Sequence, residues 1–447
     1  MVMRTVQVAV IGGGAAGVLT VVALLGTPVH DVVLVDPSPG RGLAYGPAEA
    51  CHLLNSPARA MSAYEDEPTH FLEWCQGTDP SSGPGDFISR ARYGDYLAET
   101  LGVEEAAGLG RLSLLRERAV GVARHPGRGM VVTTASGERV HADHVVLALG
   151  QGRARRLSVM EAVRDDPRYI EDPWAPGAFD RVPSGEPVLL VGTGLTAIDV
   201  AFSLSERGVA GPLVAVSRHG LLPREHTRGA AEAVRGLAAP EPTASLAGLT
   251  RRVRALAASV PDWRAVVDLM RPSVDAYWRG LGPDGRERFV RHLARYWEIH
   301  RHRMAPAVAE RVARLRATGA LRIEAAAIVS VSPAPDALSV RLGGGETPRR
   351  FGAIVNCTGR DRLTVTGDPL VNGLLADGLA APGPGGNGLG VALDGAVLDA
   401  AGHPNPALWT LGPPRFGHLW ETTAVPEIRY QAKVLADHLV TGAPLGV

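Results

Sequence analysis

Apolar residues near the N-terminus form a short run from Val6 to Ile11, followed by glycines and a longer apolar stretch from Val18 to Leu25. A second short run of valine and leucine ends at Asp36. Short β-branched runs next to glycine are typical of buried strands, and the longer stretch is typical of a helix. The pattern therefore predicts a strand, a glycine turn, a helix and a second strand.

The glycine turn has the spacing Gly-x-Gly-x-x-Gly at Gly12, Gly14 and Gly17. In a dinucleotide site these glycines permit the tight turn, the approach of a pyrophosphate and the packing of helix on strand. The phosphates then lie at the helix N-terminus near Ala16, where unpaired N–H groups point outward. Asp36 follows the last glycine by about 20 residues, where a carboxylate accepts from ribose hydroxyls. These residues predict an FAD site.

The same pattern recurs after Pro187, where a predicted strand from Val188 to Val191 precedes a second turn. This turn and the start of its helix supply five candidate cofactor-binding residues, Gly192, Thr193, Gly194, Leu195 and Thr196. The next predicted strand, Leu213 to Val216, ends in Ser217 and Arg218 and not in an acid. A carboxylate there would repel a 2′-phosphate, whereas arginine and a hydroxyl would bind it. The second turn therefore predicts NADPH over NADH.

Three further predicted strands lead into glycines. The runs Asp143 to Leu149, Ala353 to Val355 and Ala407 to Leu411 are followed by Gly150, Gly359 and Gly412 respectively. Such strands return the chain to the carboxyl edge of a sheet, where ligands bind in folds of this kind. We therefore expect these three glycines to contact the cofactors.

Helical periodicity dominates the segment between Arg224 and Thr318. Apolar residues recur three or four positions apart in Arg251 to Ala258, Trp263 to Met270 and Arg286 to Ile299. The segment fits either a helical insertion with its own core or a lid over a substrate.

Composition excludes several classes of protein. Acidic and basic residues balance at 46 each, so no excess charge draws nucleic acid. The single lysine, Lys433, and three scattered cysteines disfavour a lysine Schiff base, a disulfide scaffold and a dithiol relay. The same cysteine usage predicts a reducing, cytoplasmic location. No metal-ligand spacing occurs, and glycines interrupt the apolar N-terminus, so we expect neither a metal nor a membrane span.

The motifs resemble the two-dinucleotide-binding-domain flavoproteins, and more narrowly a bacterial family of FAD/NAD(P)-binding proteins. The superfamily includes flavin-dependent and N-hydroxylating monooxygenases. The matching segments run nearly end to end and are Gly40 to Gly46, His52 to Asn55, Arg59 with Met61, Arg90 with Tyr93 and Tyr96, Asp172 to Trp174, Gly192 to Thr196, Ser217 to Gly220 and Leu419 to Arg429.

The resemblance implies an α/β fold with two Rossmann-like domains, in which an NADPH domain is inserted in a split FAD domain. The FAD domain would comprise residues 1–180 and 359–447, and the NADPH domain residues 181–358 with a helical insertion at about 225–318. By the same resemblance, the loop that contains Tyr45, Asn55, Arg59 and Met61 borders the flavin, and Asn55 could donate or accept at the ring edge.

The segment from Trp420 to Leu439 predicts a C-terminal helix. Thr422 or Thr423 is a candidate N-cap, and Pro426 suits the first turn. The N-terminus of this helix would direct N–H groups at an anionic flavin ring, so both threonines are candidate cofactor contacts. Trp420 and Glu421 are candidates for the substrate side, and Arg415 and His418 for anchors of an acidic substrate group.

These expectations converge on an NADPH-dependent flavin monooxygenase that uses O₂ and a small-molecule substrate. Asp172 to Trp174 occupies the place of the linker motif found in flavin-containing and Baeyer–Villiger monooxygenases, which favours the N-hydroxylating side of the superfamily. The alternatives are a flavoprotein oxidase, dehydrogenase or reductase without oxygen insertion, and a nucleotide-sensing binding protein. The sequence leaves the substrate and the oligomeric state open.

Overall fold

The computed structural model describes residues 4–107, 110–227, 236–365 and 367–441. The chain divides into two compact units. The first unit consists of Met1–Ala50, Ser56–Arg153 and Asp361–Val447, and the second of Cys51–Asn55 and Ala154–Arg360. The two ends of the chain therefore share one unit, and the middle of the chain forms the other.

The described residues form sixteen strands. In chain order they are β1 (Arg4–Ile11), β2 (Val32–Val35), β3 (Leu112–Leu115), β4 (Ala119–Arg124), β5 (Met130–Thr134), β6 (Arg139–Leu147), β7 (Tyr169–Ile170), β8 (Val188–Val191), β9 (Leu213–Ser217), β10 (Leu321–Ala325), β11 (Ile328–Pro333), β12 (Leu338–Leu342), β13 (Arg349–Phe351), β14 (Ala353–Asn356), β15 (Ala396–Leu398) and β16 (Pro404–Thr410).

The described residues also form thirteen α-helices. They are α1 (Ala15–Leu25), α2 (Gly42–Tyr45), α3 (His70–Thr78), α4 (Arg90–Ala107), α5 (Leu195–Glu206), α6 (Leu246–Ala258), α7 (Trp263–Met270), α8 (Val274–Gly280), α9 (Gly282–His292), α10 (Ala294–Arg301), α11 (Pro306–Ala317), α12 (Pro369–Ala376) and α13 (Val425–Thr441). In the part of the chain described, no helix combines the length and apolarity that crossing a bilayer requires.

An eight-stranded sheet organises the first unit. Its order is β15-β16-β6-β1-β2-β3, with β5 paired to β6 and β4 to β5. The five strands β16, β6, β1, β2 and β3 are parallel, so their carboxyl ends meet at one edge. The valines of β1, β2 and β6 are almost completely buried, as expected for strands that are covered on both faces.

A five-stranded parallel sheet organises the second unit, in the order β10-β9-β8-β14-β7. A separate antiparallel sheet contains β11, β12 and β13. Each unit thus has a strand, a glycine turn and a helix at the carboxyl edge of a parallel sheet. The predicted fold class, α/β with two Rossmann-like domains, is confirmed.

Two predicted elements are divided in the structure. The predicted strand Leu321 to Val331 is two strands, β10 and β11, that belong to different sheets. The predicted helix Arg286 to Ile299 is α9 and α10, separated at Leu293. No glycine or proline marks either break, so the signals that punctuate elements in a sequence are missing there.

Candidate functional site

The first glycine turn connects β1 to α1 at the carboxyl edge of the larger sheet. Gly12 has a φ of +102°, and a Cβ there would lie 2.5 Å from the carbonyl oxygen of Ala148, at the end of β6. A Cβ on Gly17 would lie 1.8 Å from the carbonyl oxygen of Gly12. Only glycine fits at these two positions, which gives the turn the close packing that the sequence predicts.

A second segment of the first unit packs against this turn. The N–H of Gly40 donates to the carbonyl of Gly13 at 2.7 Å. A Cβ on Gly42 would lie 2.5 Å from the Cα of Gly14, the N-cap residue of α1. The chain around Gly42 therefore closes one side of the turn, while Ala16 is buried within the first turn of α1.

Asp36 follows β2 and lies directly beside the turn. The N–H of Gly13 donates to Oδ2 of Asp36 at 2.8 Å, and the N–H of Ser38 donates to Oδ1 at 2.7 Å. Each carboxylate oxygen can accept more than one hydrogen bond. Asp36 therefore stabilises the turn and keeps acceptor capacity for the ribose hydroxyls of a dinucleotide.

Gly412 lies where α1 and α13 approach each other. A Cβ on Gly412 would lie 3.5 Å from Ile428 and 3.8 Å from Ala16. The hydroxyl of Thr422 donates to the carbonyl of Gly412 at 2.8 Å, and Oε1 of Gln431 accepts from the N–H of Gly412 at 2.9 Å. This buried network fixes Gly412 at the carboxyl edge of the sheet, beside the start of both helices.

The observed start of α13 differs from the predicted N-cap at Thr422 or Thr423. The helix begins at Val425, so the N-cap position belongs to Ala424, and neither Thr422 nor Thr423 caps it. Thr422 is completely buried with its hydroxyl turned to Gly412, whereas Thr423 is exposed. Pro426 lies in the first turn, as predicted.

Trp420 and Glu421 precede this helix. Trp420 is half-buried and packs on Phe416 with 5.2 Å between ring centroids, and Glu421 is 5% exposed. The two candidate anchors of an acidic substrate group each form a hydrogen bond with the backbone. Nη2 of Arg415 donates to the carbonyl of Leu393 at 2.7 Å, and Nε2 of His418 accepts from a backbone N–H at 3.3 Å.

Three other predicted cofactor contacts of the first unit have different surroundings. Tyr45 packs edge-on against Tyr93 with 4.7 Å between ring centroids, and burial raises the pKa of Tyr45 to about 12. Arg59 is exposed and donates to the carbonyl of Pro84 at 3.3 Å. Met61 is 3% exposed, so its side chain packs in the core. Tyr45 therefore stays a neutral phenol at physiological pH.

The second glycine turn connects β8 to α5. Gly192 has a φ of +125°, and a Cβ there would lie 2.6 Å from the carbonyl oxygen of Cys357, just beyond β14. Gly194 is the N-cap residue of α5, and a Cβ on it would meet nothing within 4 Å. Leu195 and Thr196 begin the helix and are half-buried. The space beside Gly194 is open in the second unit.

The end of β9 lies next to this turn. The hydroxyls of Thr193 and Ser217 lie 2.9 Å apart, Thr193 donates to the carbonyl of Leu221 at 2.6 Å, and Ser217 accepts from the N–H of Gly220 at 3.0 Å. Arg218 is exposed and has no hydrogen bond or ion pair within the described ranges. Both hydroxyls thus shape the turn, and Arg218 is the group that remains available to a ligand.

The remaining predicted residues lie at strand ends and in one short segment. Gly150 and Gly359 have φ values of +66° and +84°, with nothing within 4 Å of an added Cβ. Asn55 belongs to the second unit, where its carbonyl accepts from Nε2 of His226 at 3.0 Å. The neighbouring His52 accounts for the placement of this segment in the second unit, because Nε2 of His52 lies 2.9 Å from Oγ of Ser203 in α5.

Sequence reasoning missed Gln431 and Asn356. Gln431 is a buried polar residue on the apolar face of α13, and Asn356 ends β14 and donates to the carbonyls of Arg155 and Glu171 at 2.8 and 3.1 Å. The sequence does contain a signal for Gln431, because a glutamine among the apolar residues of a predicted helix is unusual. Nothing in the sequence pairs Asn356 with the distant chain that it holds.

Comparison with known proteins supports the same interpretation. Residues 9–152 match the family model described as FAD-NAD(P)-binding. No match is found among curated protein sequences. The family match confirms the predicted resemblance to FAD- and NAD(P)-binding flavoproteins for this part of the chain, which contains the first glycine turn.

Three solved structures share the fold over nearly the whole chain. An ornithine N-hydroxylase from Kutzneria sp. 744, solved with reduced FAD, NADP⁺ and L-ornithine, has a TM-score of 0.67 at 16% identity and covers 98% of this chain and 99% of its own. The L-lysine 6-monooxygenase of Pseudomonas syringae has a TM-score of 0.67 at 17% identity and covers 98% and 100%. A cadaverine monooxygenase from Erwinia amylovora, bound to FAD, has a TM-score of 0.66 at 15% identity and covers 99% and 95%.

Proposed function

We propose that this chain is an FAD-dependent, NADPH-using monooxygenase that acts on a small molecule, with N-hydroxylation of an amine or amino acid as its reaction. The observation that carries the proposal is the pair of glycine turns, each at the carboxyl edge of its own parallel sheet. The likeness in fold to an ornithine N-hydroxylase, a lysine monooxygenase and a cadaverine monooxygenase, over at least 98% of this chain, supports the choice of reaction.

The first turn fits FAD. A Cβ at Gly12 or Gly17 would collide with backbone, and Gly14 presents the start of α1 to a pyrophosphate. The partial positive charge of the helix N-terminus favours the phosphates, and Asp36 accepts from ribose hydroxyls. The start of α13, beside Gly412, is the second helix N-terminus at this edge and suits the electron-rich edge of a flavin ring.

The second turn fits NADPH. Gly194 leaves open space at the start of α5, where a pyrophosphate would bind, and Arg218 supplies a positive charge at the end of β9. An exposed guanidinium forms paired hydrogen bonds with a phosphate. Arg218 would therefore prefer the 2′-phosphate of NADPH over the free hydroxyl of NADH.

The reduced flavin of FAD would supply the chemistry that activates O₂, because no side chain does so by itself. The chain's own residues position the groups: Gly12, Gly14 and Asp36 hold one dinucleotide, and Gly194 and Arg218 the other. Trp420 and Glu421 remain candidates for the substrate side, as does Asn55.

Thiol chemistry is disfavoured. Cys51, Cys75 and Cys357 are unpaired by disulfides, and burial raises the pKa of both Cys75 and Cys357. A buried thiol with a raised pKa is a poor nucleophile and cannot relay electrons from a flavin. We therefore favour oxygen insertion over reduction of a disulfide.

The proposal is tested by NADPH oxidation across a panel of amines and amino acids with the flavin-loaded protein. We expect at least one compound to raise the rate and to yield hydroxylated product in step with the NADPH consumed. If every compound gave only hydrogen peroxide, the monooxygenase assignment would fail and an oxidase would replace it.

A further inference from the structure

The first unit contains a cavity of about 520 Å³ that the proposed function does not use. Its wall comes from the turn between β4 and β5, from β6, β15 and β16, and from the last turn of α13. Among the described residues that form this wall, none is assigned above to a cofactor or to the substrate side. Pockets that hold small organic ligands have volumes of roughly 300–1,000 Å³. The cavity is therefore large enough for a ligand of its own.

Most of the length of α13 separates this cavity from the first glycine turn. Ile428, near the start of the helix, lies beside Gly412. His438, about ten residues further along, is the first residue of the helix in the wall of the cavity. Ten residues of α-helix span about 15 Å. A ligand in the cavity would therefore occupy a different space from a dinucleotide at the first turn.

Two side chains of opposite charge line this cavity. Arg128 is exposed at the turn between β4 and β5, and Asp394 is half-buried just before β15. Within the described ranges, the guanidinium of Arg128 has no hydrogen bond or ion pair, and the carboxylate of Asp394 has no ion pair. Oδ1 of Asp394 accepts from the N–H of Ala396 at 3.0 Å, and a carboxylate can accept further hydrogen bonds. The two charges therefore share the cavity without pairing with each other.

The wall of the cavity is otherwise largely apolar. Pro404 and Pro406 lie in β16, and Leu439 and Val440 lie in the last turn of α13. A proline ring fixes φ, so the two prolines present a rigid surface to a ligand. An apolar group of a ligand is stabilised when it leaves water for such a surface. The cavity therefore suits a ligand that is partly apolar.

Trp409 and His144 form a further part of the wall. Trp409 is 4% exposed and packs edge-on against His438 with 4.8 Å between ring centroids. Nε1 of Trp409 donates to Nδ1 of His144 at 3.4 Å. Burial lowers the pKa of His144, and the charge of Arg128 acts in the same direction, whereas Asp143 opposes it. His144 is therefore neutral at physiological pH and adds no charge to the cavity.

We propose that this cavity binds a free amino acid with an apolar side chain, with Arg128 paired to its carboxylate and Asp394 to its ammonium group. A guanidinium forms paired hydrogen bonds with a carboxylate, and the last carbonyls of α13 carry partial negative charge that favours the ammonium group. A ligand with a single charge would leave Arg128 or Asp394 without a partner, so a zwitterion fits the cavity best. The site goes beyond the proposed function, because its occupancy needs neither NADPH nor O₂.

Isothermal titration calorimetry of the flavin-loaded protein, without NADPH, tests the site with L-leucine as the probe. Two relatives of L-leucine each keep one of its charges: 4-methylpentanoate has the carboxylate alone, and 3-methylbutylamine has the ammonium group alone. We expect L-leucine to bind about three- to tenfold more tightly than either relative, as for the gain of one partly screened ion pair. Absence of L-leucine binding, or equal affinity for all three compounds, would overturn the proposal.

Two variants should change these affinities in a crossed pattern. Arg128→Met should weaken binding of L-leucine and 4-methylpentanoate by about three- to tenfold and spare 3-methylbutylamine. Asp394→Asn keeps the oxygen that accepts from Ala396, and it should weaken binding of L-leucine and 3-methylbutylamine and spare 4-methylpentanoate.

The crossed pattern separates a binding site from a loss of structure, because a damaged fold would weaken all three compounds together. Unchanged affinity for L-leucine in R128M or in D394N would mean that the amino acid binds elsewhere, for example at the substrate side of the flavin, and would overturn the proposal. Equal weakening of all three compounds in both variants would overturn it as well.

Arg124→Met and Asp399→Asn are the matched controls. Arg124 is an exposed arginine at the end of β4, in the same hairpin as Arg128. Oδ1 of Asp399 accepts from the N–H of Ala401 at 2.9 Å, much as Asp394 holds its own turn. Neither Arg124 nor Asp399 lines the cavity, so both variants should bind L-leucine with the affinity of the wild-type protein. Weaker binding in either control would show a general effect of surface charge and would contradict the site.

Discussion

The two glycine turns of this chain have the same local sequence pattern and different surroundings. In the first turn, Gly42 packs against Gly14, and the carboxylate of Asp36 accepts from the N–H of Gly13 at 2.8 Å. In the second, a Cβ on Gly194 would meet nothing within 4 Å, and the adjacent strand ends at the exposed Arg218. One turn is closed by its own chain, and the other is open on the ligand side.

This difference matches the roles of the two dinucleotides. A flavin that stays bound through many turnovers benefits from a turn that is packed and fixed in advance, because less conformational entropy is lost on binding. A nicotinamide cofactor must bind and leave in each cycle, so an open turn with one exposed cation suits it. We therefore expect changes in the first turn to affect flavin retention and stability together, and changes at the exposed residues Gly194 and Arg218, in and beside the second turn, to affect nucleotide binding alone.

The largest effect is expected from Gly17→Val. The new side chain would begin 1.8 Å from the carbonyl oxygen of Gly12, which the packed turn cannot accommodate. We expect the variant to be insoluble or colourless, measured as the ratio of flavin to protein absorbance. Ala197→Gly, at the equivalent position of the second turn, should cost only about 1 kcal/mol of stability and keep both cofactors. A G17V variant that is stable and retains its flavin would contradict the proposed difference in packing between the two glycine turns.

Gly194→Ala should separate binding from stability. The added methyl group meets no protein atom within 4 Å but occupies the approach of the pyrophosphate to α5. We expect the dissociation constant of NADP⁺ to rise by about tenfold or more, with the unfolding midpoint and flavin content unchanged. Gly185→Ala, which also meets nothing within 4 Å, is the control and should bind NADP⁺ normally. Equal binding by both variants would contradict the position assigned to the pyrophosphate.

Arg218→Ala should reduce the preference for NADPH over NADH. A hydrogen-bonded guanidinium–phosphate pair is worth about 1.5–3 kcal/mol, which corresponds to about 10- to 150-fold in the ratio of kcat/KM values. Arg322→Ala, an exposed arginine on the neighbouring strand β10, should leave the ratio unchanged. An unaltered ratio in R218A would refute the role given to Arg218 in binding the 2′-phosphate.

The smallest effect is expected from Thr422→Val, which keeps the shape and removes the hydroxyl that donates to Gly412 at 2.8 Å. We expect a loss of about 1–3 kcal/mol of stability and earlier release of flavin on heating. Thr423→Val, at the exposed neighbour, should change neither property. Identical behaviour of the two variants would show that the buried network does not hold Gly412 in place.

Much of the fold could be predicted because its signals are local. The glycine spacing, the alternation of strands and helices and the acid or arginine at each strand end all lie within short windows of sequence. The predicted strand Val188 to Val191 and the predicted helix Trp263 to Met270 coincide with β8 and α7.

The rest depends on contacts between distant residues. The placement of Asn55 in the second unit follows from His52 and His226, which lie far apart in the chain. The position of Thr422 in the sequence makes it an N-cap candidate. In the structure its hydroxyl instead forms buried hydrogen bonds with Gly412 and Gln431. The burial of Arg301 and Arg303 is likewise invisible in the sequence, because arginine at the end of a helix is usually exposed.

The most direct measurement of the central claim is anaerobic reduction of the bound flavin, followed by its absorbance after rapid mixing with NADPH or NADH. The account predicts that NADPH bleaches the flavin and does so faster than NADH, because Arg218 at the end of β9 would favour the 2′-phosphate of NADPH. A flavin that neither nucleotide reduces would contradict the account.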